Sequence, residues 1–370
     1  MMRKVLITGG AGFIGGHVAE ELLASGYAVR ILDVLEPQVH ENGSFPDWLN
    51  EEVELIEGDV RDPDTVARAV AGVDGVVHLA AAVGVGQSMY QLRRYVGVNN
   101  LGTATLLEAI DGDSIERLVV ASSMSVYGEG AYVNGSGGML HPPGRDREQL
   151  ARHEWELRGE GQTPLTAVPT PEEIVPVPSS PYALTKYDQE LLCLMFGAAY
   201  SVPTVALRLF NVYGPRQALS NPYTGVMAIF ACRLLNDSAP LIYEDGAQLR
   251  DFVNVRDVAR AFRLALEKTE VSGCAINIGS GRAVTIDQVA RTLADVLDRD
   301  IEPQVEGKYR VGDVRHCFAD ISRAKELLGY HPEVSFENGI DELTDWLRLQ
   351  QATDRGPDAA AELARRGLTL

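Results

Sequence analysis

A doubly wound α/β fold, one parallel sheet with helices on both faces followed by a smaller C-terminal α/β domain, is the architecture this chain predicts. Two observations carry it. Short apolar runs alternate with segments of helical periodicity along the first half of the chain, the pattern of strands joined by crossover helices. The first run also ends in a glycine-rich turn that leads directly into a helix. The length of 370 residues is enough to bury a substantial core, as one large domain or as a domain with a smaller partner.

Lys4-Val5-Leu6-Ile7-Thr8 forms the first apolar run, and Gly9-Gly10-Ala11-Gly12-Phe13-Ile14-Gly15 the turn after it. Val18, Leu22 and Leu23 then recur at helical spacing. Glycines there permit a tight turn and close approach of the backbone to a pyrophosphate lying on the helix N-terminus. A second strand, Ala28-Val29-Arg30-Ile31-Leu32, ends at Asp33, about twenty residues past the glycines, where an acid accepts hydrogen bonds from an adenosine ribose. That carboxylate would repel a 2′-phosphate, so a Rossmann-type site for NAD rather than NADP is expected.

Val53–Glu57 with Gly58-Asp59, a helix over 63–71, and Gly75–Leu79 with Ala80-Ala81 continue the alternation. Leu79, Ala80 and Ala81 leave room for the cofactor, and Asp59 with Val60 is placed to flank the adenine, although a turn role for Asp59 is equally open. His78, inside an apolar strand, reads as a packed core histidine. After a helix over 99–110, the strand Arg117–Ala121 delivers Ser122, Ser123 and Ser125 to the carboxyl edge of the sheet, where open α/β sheets bind ligands. Downstream, Ser180 and Pro181 suit a helix cap and first turn, placing Tyr182 and Lys186 four residues apart on one face. Only one of the 13 tyrosines has such a lysine. A nearby cation favours the phenolate and makes Tyr182 a candidate acid/base.

Together these motifs resemble the extended short-chain dehydrogenase/reductases, specifically the NAD-dependent nucleotide-sugar epimerase/dehydratase family, along nearly the whole chain. The resemblance implies that Gly9, Gly12, Gly15, Asp33, Ser123, Tyr182 and Lys186 form one site. It implies also that Phe13 and Ile14 lie over the pyrophosphate and that Asn99 lies near the cofactor, with Phe210 beside it. Asn211 would reach the phosphate of the nucleotide sugar, Arg310 and Asp313 would contact its ribose and phosphate, and Cys317 would stand where sugar size is limited. The helices over 99–110 and 181–200 would pair with a second copy as a four-helix bundle, giving a homodimer.

From the residues themselves, Asn221-Pro222-Tyr223-Thr224-Gly225-Val226 opens a helix whose free donors suit a pyrophosphate. Arg250 offers a planar fork for phosphate, with a salt bridge to Asp251 as the alternative. The long Pro/Gly-rich segment 129–180, with a possible helix over 147–157, reads as a lid or one wall of the substrate pocket. Residues 1–205 are expected to form the NAD domain, with segments near 240–266 returning to it. Residues 206–370 then mainly bind substrate, and those after Thr353 form a short helix or a frayed tail.

Related dehydratases and decarboxylases carry an acid after the reacting hydroxyl. Met124-Ser125 stands here instead, a pattern similar to the 4-epimerases. The segments 168–172 and 221–225 most resemble family members that act on dTDP-L-rhamnose. An isomerase that inverts C4 through a transient 4-keto sugar, with tightly bound NAD, is therefore expected. A net 4-keto-sugar oxidoreductase and a catalytically silent NAD-binding protein remain open at this level.

A net charge of -19 argues against nucleic acid or anionic membrane as partner. Cysteines 193, 232, 274 and 317 lack disulfide or zinc spacing, so no metal is expected. With no signal-like or membrane-length apolar run, a cytoplasmic location is expected.

Overall fold

The computed structural model describes residues 3–369. Seven parallel strands form the main sheet: β1 (Lys4–Thr8), β2 (Ala28–Asp33), β3 (Glu54–Glu57), β4 (Gly75–His78), β5 (Arg117–Ser123), β6 (Thr204–Leu209) and β7 (Cys274–Ile278). Their spatial order is β7-β6-β5-β4-β1-β2-β3, a Rossmann-type sheet whose order reverses between β1 and β4. Thr8 pairs in register with both Leu32 and His78, and Ser123 with Leu209, so the strand ends that carry candidate residues lie along one edge.

Continuous apolar strands are explained by burial on both faces. Val5 and Ile7 face α1 (Phe13–Ala24) and a later helix, Val255–Glu267, in one core with Val18, Leu22, Val258 and Phe262. Leu6, Val76, Leu118 and Val120 point the other way, into a core with Leu106, Leu107 and Cys193. That second layer is built from α2 (Pro63–Val70), α3 (Gly102–Ala109) and α4 (Pro181–Tyr200). From the second half of the chain, the helix Val255–Glu267 packs on this sheet and β7 supplies its edge beside β6.

The second unit packs α5 (Val226–Leu235), the helix Ile286–Val296 and the helix Phe336–Leu347 around Met227, Phe230, Phe252, Leu293 and Ile340. Beyond Thr353 the chain forms the helix Gly356–Arg365 rather than a frayed end, with Ala359 and Leu363 buried. Among the described residues no helix is long and apolar enough to cross a membrane.

Two local expectations are corrected. The helix expected over 99–110 is entered through a π-helical turn at Val96–Leu101, which turns Asn99 fully inward. The helix expected over 147–157 stops at Ala151, because the Gln149 side-chain amide donates to the carbonyls of Glu154 and Glu156 and folds the chain back.

Segment 129–180 also differs from the expected lid or wall. It forms a three-stranded antiparallel sheet (Ala131–Val133, Met139–Leu140, Thr166–Val168), and none of residues 129–179 lines the cavity at the carboxyl edge of the main sheet. What holds it is charge. The fully buried Arg315 donates to Glu156, Glu244 and Asp245, while its backbone N–H donates to Glu129. Arg145 adds a buried pair with Glu244 at 2.8 Å. Removing the Arg315 side chain leaves the buried Glu244 with Arg145 alone, while Glu156 and Asp245 reach solvent, so the loss falls at the lower end of that for a broken buried pair, at about 3 kcal/mol. Arg315→Ala is accordingly expected to lower stability by that order and to expose 129–168 to protease, as read by urea unfolding and limited trypsinolysis; parent-like behaviour in both would contradict this account.

Candidate active site

At the carboxyl edge of the sheet lies a cavity of about 440 Å³, within the range of small-molecule sites. Its floor is the glycine turn. Gly9 has φ +71°, and a Cβ there would come 2.8 Å from the Ala80 nitrogen; one on Gly15 would come 2.4 Å from the Gly9 carbonyl. Those two glycines let β1, β4 and α1 meet. At Gly12 a Cβ would touch nothing closer than 3.4 Å, so its absence leaves space facing the cavity. Gly12 is also the N-cap of α1 and makes no side-chain cap, so the first-turn N–H groups stay available for an anion. An open cradle, free helix donors and an acid at the end of β2 fit the diphosphate and ribose of NAD.

Asp33 accepts from the Ala11 and Leu35 backbone N–H groups at 3.0 Å each, fixing its carboxylate at the cavity wall with lone pairs to spare. Asp59 is held by Arg61 in a bidentate pair that keeps its carboxyl below the usual range.

The proton-handling end is built on α4. Ser180 caps it, accepting from Ala183 N–H at 3.1 Å, and Pro181 opens its first turn. Tyr182 and Lys186 both line the cavity with Ser122 and Ser123. Burial pushes the Tyr182 phenol up, and a hydrogen bond with Ser123 opposes this. Ser125 braces Ser123 from behind, its hydroxyl donating to Ser123 Oγ at 2.9 Å and its N–H at 3.2 Å. Ser122 donates instead to Glu190 at 2.6 Å.

Lys186 departs from expectation. Its ammonium donates to Gln189 Oε1 at 2.7 Å, and the effects that shift Tyr182 here are burial and Ser123. Lys186 itself is 3% exposed, and burial brings it down to about 8.

The structure gathers Gly9, Gly12, Phe13, Ile14, Gly15, Asp33, Asp59, Val60, Leu79, Ala80, Ala81, Ser122, Ser123, Tyr182, Lys186, Phe210, Asn211, Thr224, Gly225 and Val226 around the cavity. Asn99, Ser125, Arg250, Arg310, Asp313 and Cys317 stand outside its lining. Asn99 sits one layer back, clamping Ala82 N–H (2.7 Å), Ala82 O (3.1 Å) and Thr185 Oγ1 (2.9 Å). Arg250 is engaged by the carbonyls of Leu249, Val314 and Arg315 rather than by Asp251. Arg310 forks onto Asp313, and the buried Cys317 packs with Thr170 and Tyr127.

Sequence reasoning missed Gln38, Arg94 and Gln217, all lining residues. Asn211 Oδ1 and Gln217 Oε1 are buried acceptors without a protein partner, a combination that calls for ligand donors. Nothing in spacing marks these residues, since they meet only after the two units fold together.

Lys186 also predicts a pH signature. Its folded value of about 8 lies below the ordinary 10.5, so the unfolded chain binds more protons between those values and stability rises with pH across that window. Below about 8 the buried ammonium costs its full amount. Lys186→Met is expected to unfold at higher urea than the parent at pH 7, with the advantage shrinking between pH 8 and 10.5; a pH-independent difference would refute the assignment.

Comparison with known proteins agrees with this geometry. The profile of the NAD-dependent epimerase/dehydratase family matches residues 5–149 and 156–279. The chain is similar to a dTDP-L-rhamnose 4-epimerase of Burkholderia thailandensis, 39% identical over 95% of this chain and 96% of the relative. A putative UDP-glucose 4-epimerase of Methanocaldococcus jannaschii is 32% identical over 94% of this chain and all of the relative (100%). Among solved structures, UDP-glucose 4-epimerase of Thermotoga maritima with UDP-glucose superposes with TM-score 0.76 at 31% identity, covering 93% of this chain and 98% of that one. The Thermus thermophilus UDP-glucose 4-epimerase with NAD gives TM-score 0.74 at 31% identity, covering 94% and 100%. With most of its length matched and a dinucleotide cradle meeting a tyrosine and lysine in one cavity, the chain belongs to the NAD-dependent epimerase/dehydratase family and uses NAD.

Proposed function

We propose that this protein is a nucleotide-sugar 4-epimerase, an isomerase that inverts C4 through a transient 4-keto sugar, with dTDP-L-rhamnose or a related NDP-hexose as substrate. The distribution of acid groups carries this reading. The cavity's lining carboxylates among the described residues are Asp33, Glu36 and Asp59, at the end of β2 or on the loops after β2 and β3, at the adenosine end. Ser123, Tyr182 and Lys186 face the reacting end without a carboxyl group to eliminate water or assist decarboxylation. The 39% identity to a dTDP-L-rhamnose 4-epimerase supports the substrate class.

NAD supplies reversible oxidation at C4 with no net redox change. Ser123 holds the sugar O4 and Tyr182 takes its proton, then returns a proton to O4 once the ring has presented its other face. The Lys186 charge, held by Gln189 on the same helix face as Tyr182, favours the Tyr182 phenolate as its proton leaves. Asn99 fixes the Ala82 backbone at the cavity edge, and Asn211 and Gln217 offer acceptors to sugar or base donors. Because the same NAD serves both half-reactions, we take it to remain tightly bound.

We propose a homodimer as well. Leu92, Val96 and Leu101 on one helical segment and Leu184, Leu191 and Met195 on α4 are exposed apolar residues, Leu101 at 58% and Met195 at 59%. Residues 184, 191 and 195 recur at spacings that form one stripe, and unpaired apolar stripes of this kind mark interaction surfaces. The four unpaired cysteines, three of them buried, accord with a reducing cytoplasmic location.

A panel of nucleotide sugars incubated without added NAD and followed by NMR is expected to show C4 inversion, fastest with dTDP-L-rhamnose; stoichiometric NADH change without inversion would establish a net oxidoreductase instead. Tyr182→Phe is expected to retain NAD and lose turnover by a factor of about 10² or more, the usual contribution of a positioned acid/base. The dimer predicts that Leu184→Glu with Met195→Glu elutes as a folded monomer in light scattering, against a parent dimer; a monomeric parent would end that proposal.

A further inference from the structure

We infer that Arg94 is the side chain that meets a diphosphate in this cavity, a role that neither motif nor spacing assigns to it. The inference rests on the reading of the cavity as a site for NAD and a nucleotide sugar. Each of those ligands brings a diphosphate, and the protein around them carries a net charge of -19. A local cation would add to the helix donors that the glycine turn already offers to phosphate oxygens.

The lining contains three Lys or Arg side chains among the described residues: Arg61, Arg94 and Lys186. Arg61 is committed to Asp59 by a bidentate pair, and Lys186 is buried at the reacting end, bonded to Gln189. The two arginines that the sequence assigns to phosphate are occupied outside the lining, Arg250 by three carbonyls and Arg310 by Asp313. Arg94 remains.

Its surroundings suit exchange. One guanidinium nitrogen donates to three neutral amide oxygens, of Gln38 at 3.0 Å, Gln91 at 3.2 Å and Gln87 at 3.4 Å. Its carboxylate contact is Glu36 at 3.4 Å, with side-chain exposures of 29% and 45%, a screened pair of little strength. Amide oxygens hold the fork in place without neutralising it. A phosphate can then replace one of them and gain a charge-assisted, bidentate contact.

Position agrees with charge. Glu36 and Gln38 lie on the loop that follows Asp33, and Gln38 donates to Asn221 at 2.7 Å across to the turn that precedes α5. Arg94 thus stands where the cofactor loop and the substrate-side turn meet over the same cavity as Gly12, Phe13 and Ile14. The shared chemistry is a diphosphate; its source is the cofactor or the nucleotide sugar.

Binding measurements separate the sources and do not depend on turnover. NAD content after gel filtration, and calorimetric affinity for NAD, for dTDP and for UDP, are compared for the parent, Arg94→Met and Arg94→Lys, each at low and high salt. Loss of one charge-assisted contact predicts a weakening of about 10-fold or more in Arg94→Met, partly restored in Arg94→Lys and narrowing as salt rises. Loss confined to NAD assigns the cofactor diphosphate, and loss confined to dTDP and UDP assigns that of the sugar nucleotide. Affinities within about twofold of the parent for all three ligands would overturn the inference. So would a loss that lysine fails to restore and salt fails to alter, which marks Arg94 as a strut between loops. Failure of the epimerase reading would appear separately, as absent C4 inversion with NAD binding still dependent on Arg94.

Discussion

A buried chain of hydrogen bonds through the centre of the sheet fixes where Lys186 stands, and the rest of the site depends on it. Thr8, at the end of β1, meets His78 Nδ1 at 2.7 Å, and His78 Nε2 meets Thr103 Oγ1 at 2.9 Å. Gln189 donates to Thr103 at 2.8 Å and accepts from Lys186 at 2.7 Å. Burial and the nearby Lys186 bring His78 down to about 3, so its ring stays neutral and links donors to acceptors rather than carrying charge. Inside a low-dielectric core each member left unpaired would cost about 1–3 kcal/mol. Thr8 also accepts from Ala80 N–H at 3.2 Å, and Ala80 is the residue against which Gly9 packs. The cofactor turn and the lysine are thus set by the same two strand ends.

Charge is divided along the cavity. Acids gather on the loops after β2 and β3, where they suit ribose hydroxyls and are held by backbone N–H groups or Arg61. Hydroxyls, a phenol and an amine occupy the opposite end. Glu190 is the nearest acid on α4, yet Arg208 forks onto it at 2.6 and 3.0 Å and Ser122 donates to it. Its charge is consumed inside the wall. A proton transfer between Tyr182 and a sugar oxygen therefore proceeds without a competing carboxyl group.

How much of this was legible depended on whether the signal was local. The central strands read correctly because burial on both faces forces continuous apolar runs, and the glycine turn because only glycine fits beside Ala80 and the Gly9 carbonyl. Ser180 and Pro181 announced α4 for the same local reason. His78 was read as a core residue, and its two ring nitrogens are satisfied internally. The π-turn around Asn99 was not legible, since it depends on a tertiary hydrogen bond to Ala82. Nor was the fate of 129–180, where Pro and Gly content indicated a loop while the deciding partner, Arg315, lies far along the chain. Arg250 was assigned from the chemistry of its guanidinium and Arg310 from the family resemblance, and their carbonyl and Asp313 partners became visible only in three dimensions.

The two ends of the cavity are consequently built to different standards. Around Lys186 the side chains of Thr8, His78, Thr103 and Gln189 are buried and cross-bonded between helices and central strands, so the lysine is held by the core itself. At the opposite end Arg94, Gln38 and Asn221 are partly exposed and joined through neutral amides across two units. Such bonds exchange readily with ligand oxygens and involve little buried charge. An enzyme that must keep one hydrogen-bonded phenol in place while a bulky nucleotide sugar enters, turns and leaves needs rigidity at the first end and replaceable contacts at the second. The acidic cluster around Arg315 fits the same division. By fastening 129–180 to the 315–320 segment, it keeps a long insertion away from the cavity lining and leaves those replaceable contacts to the loops after β2 and before α5.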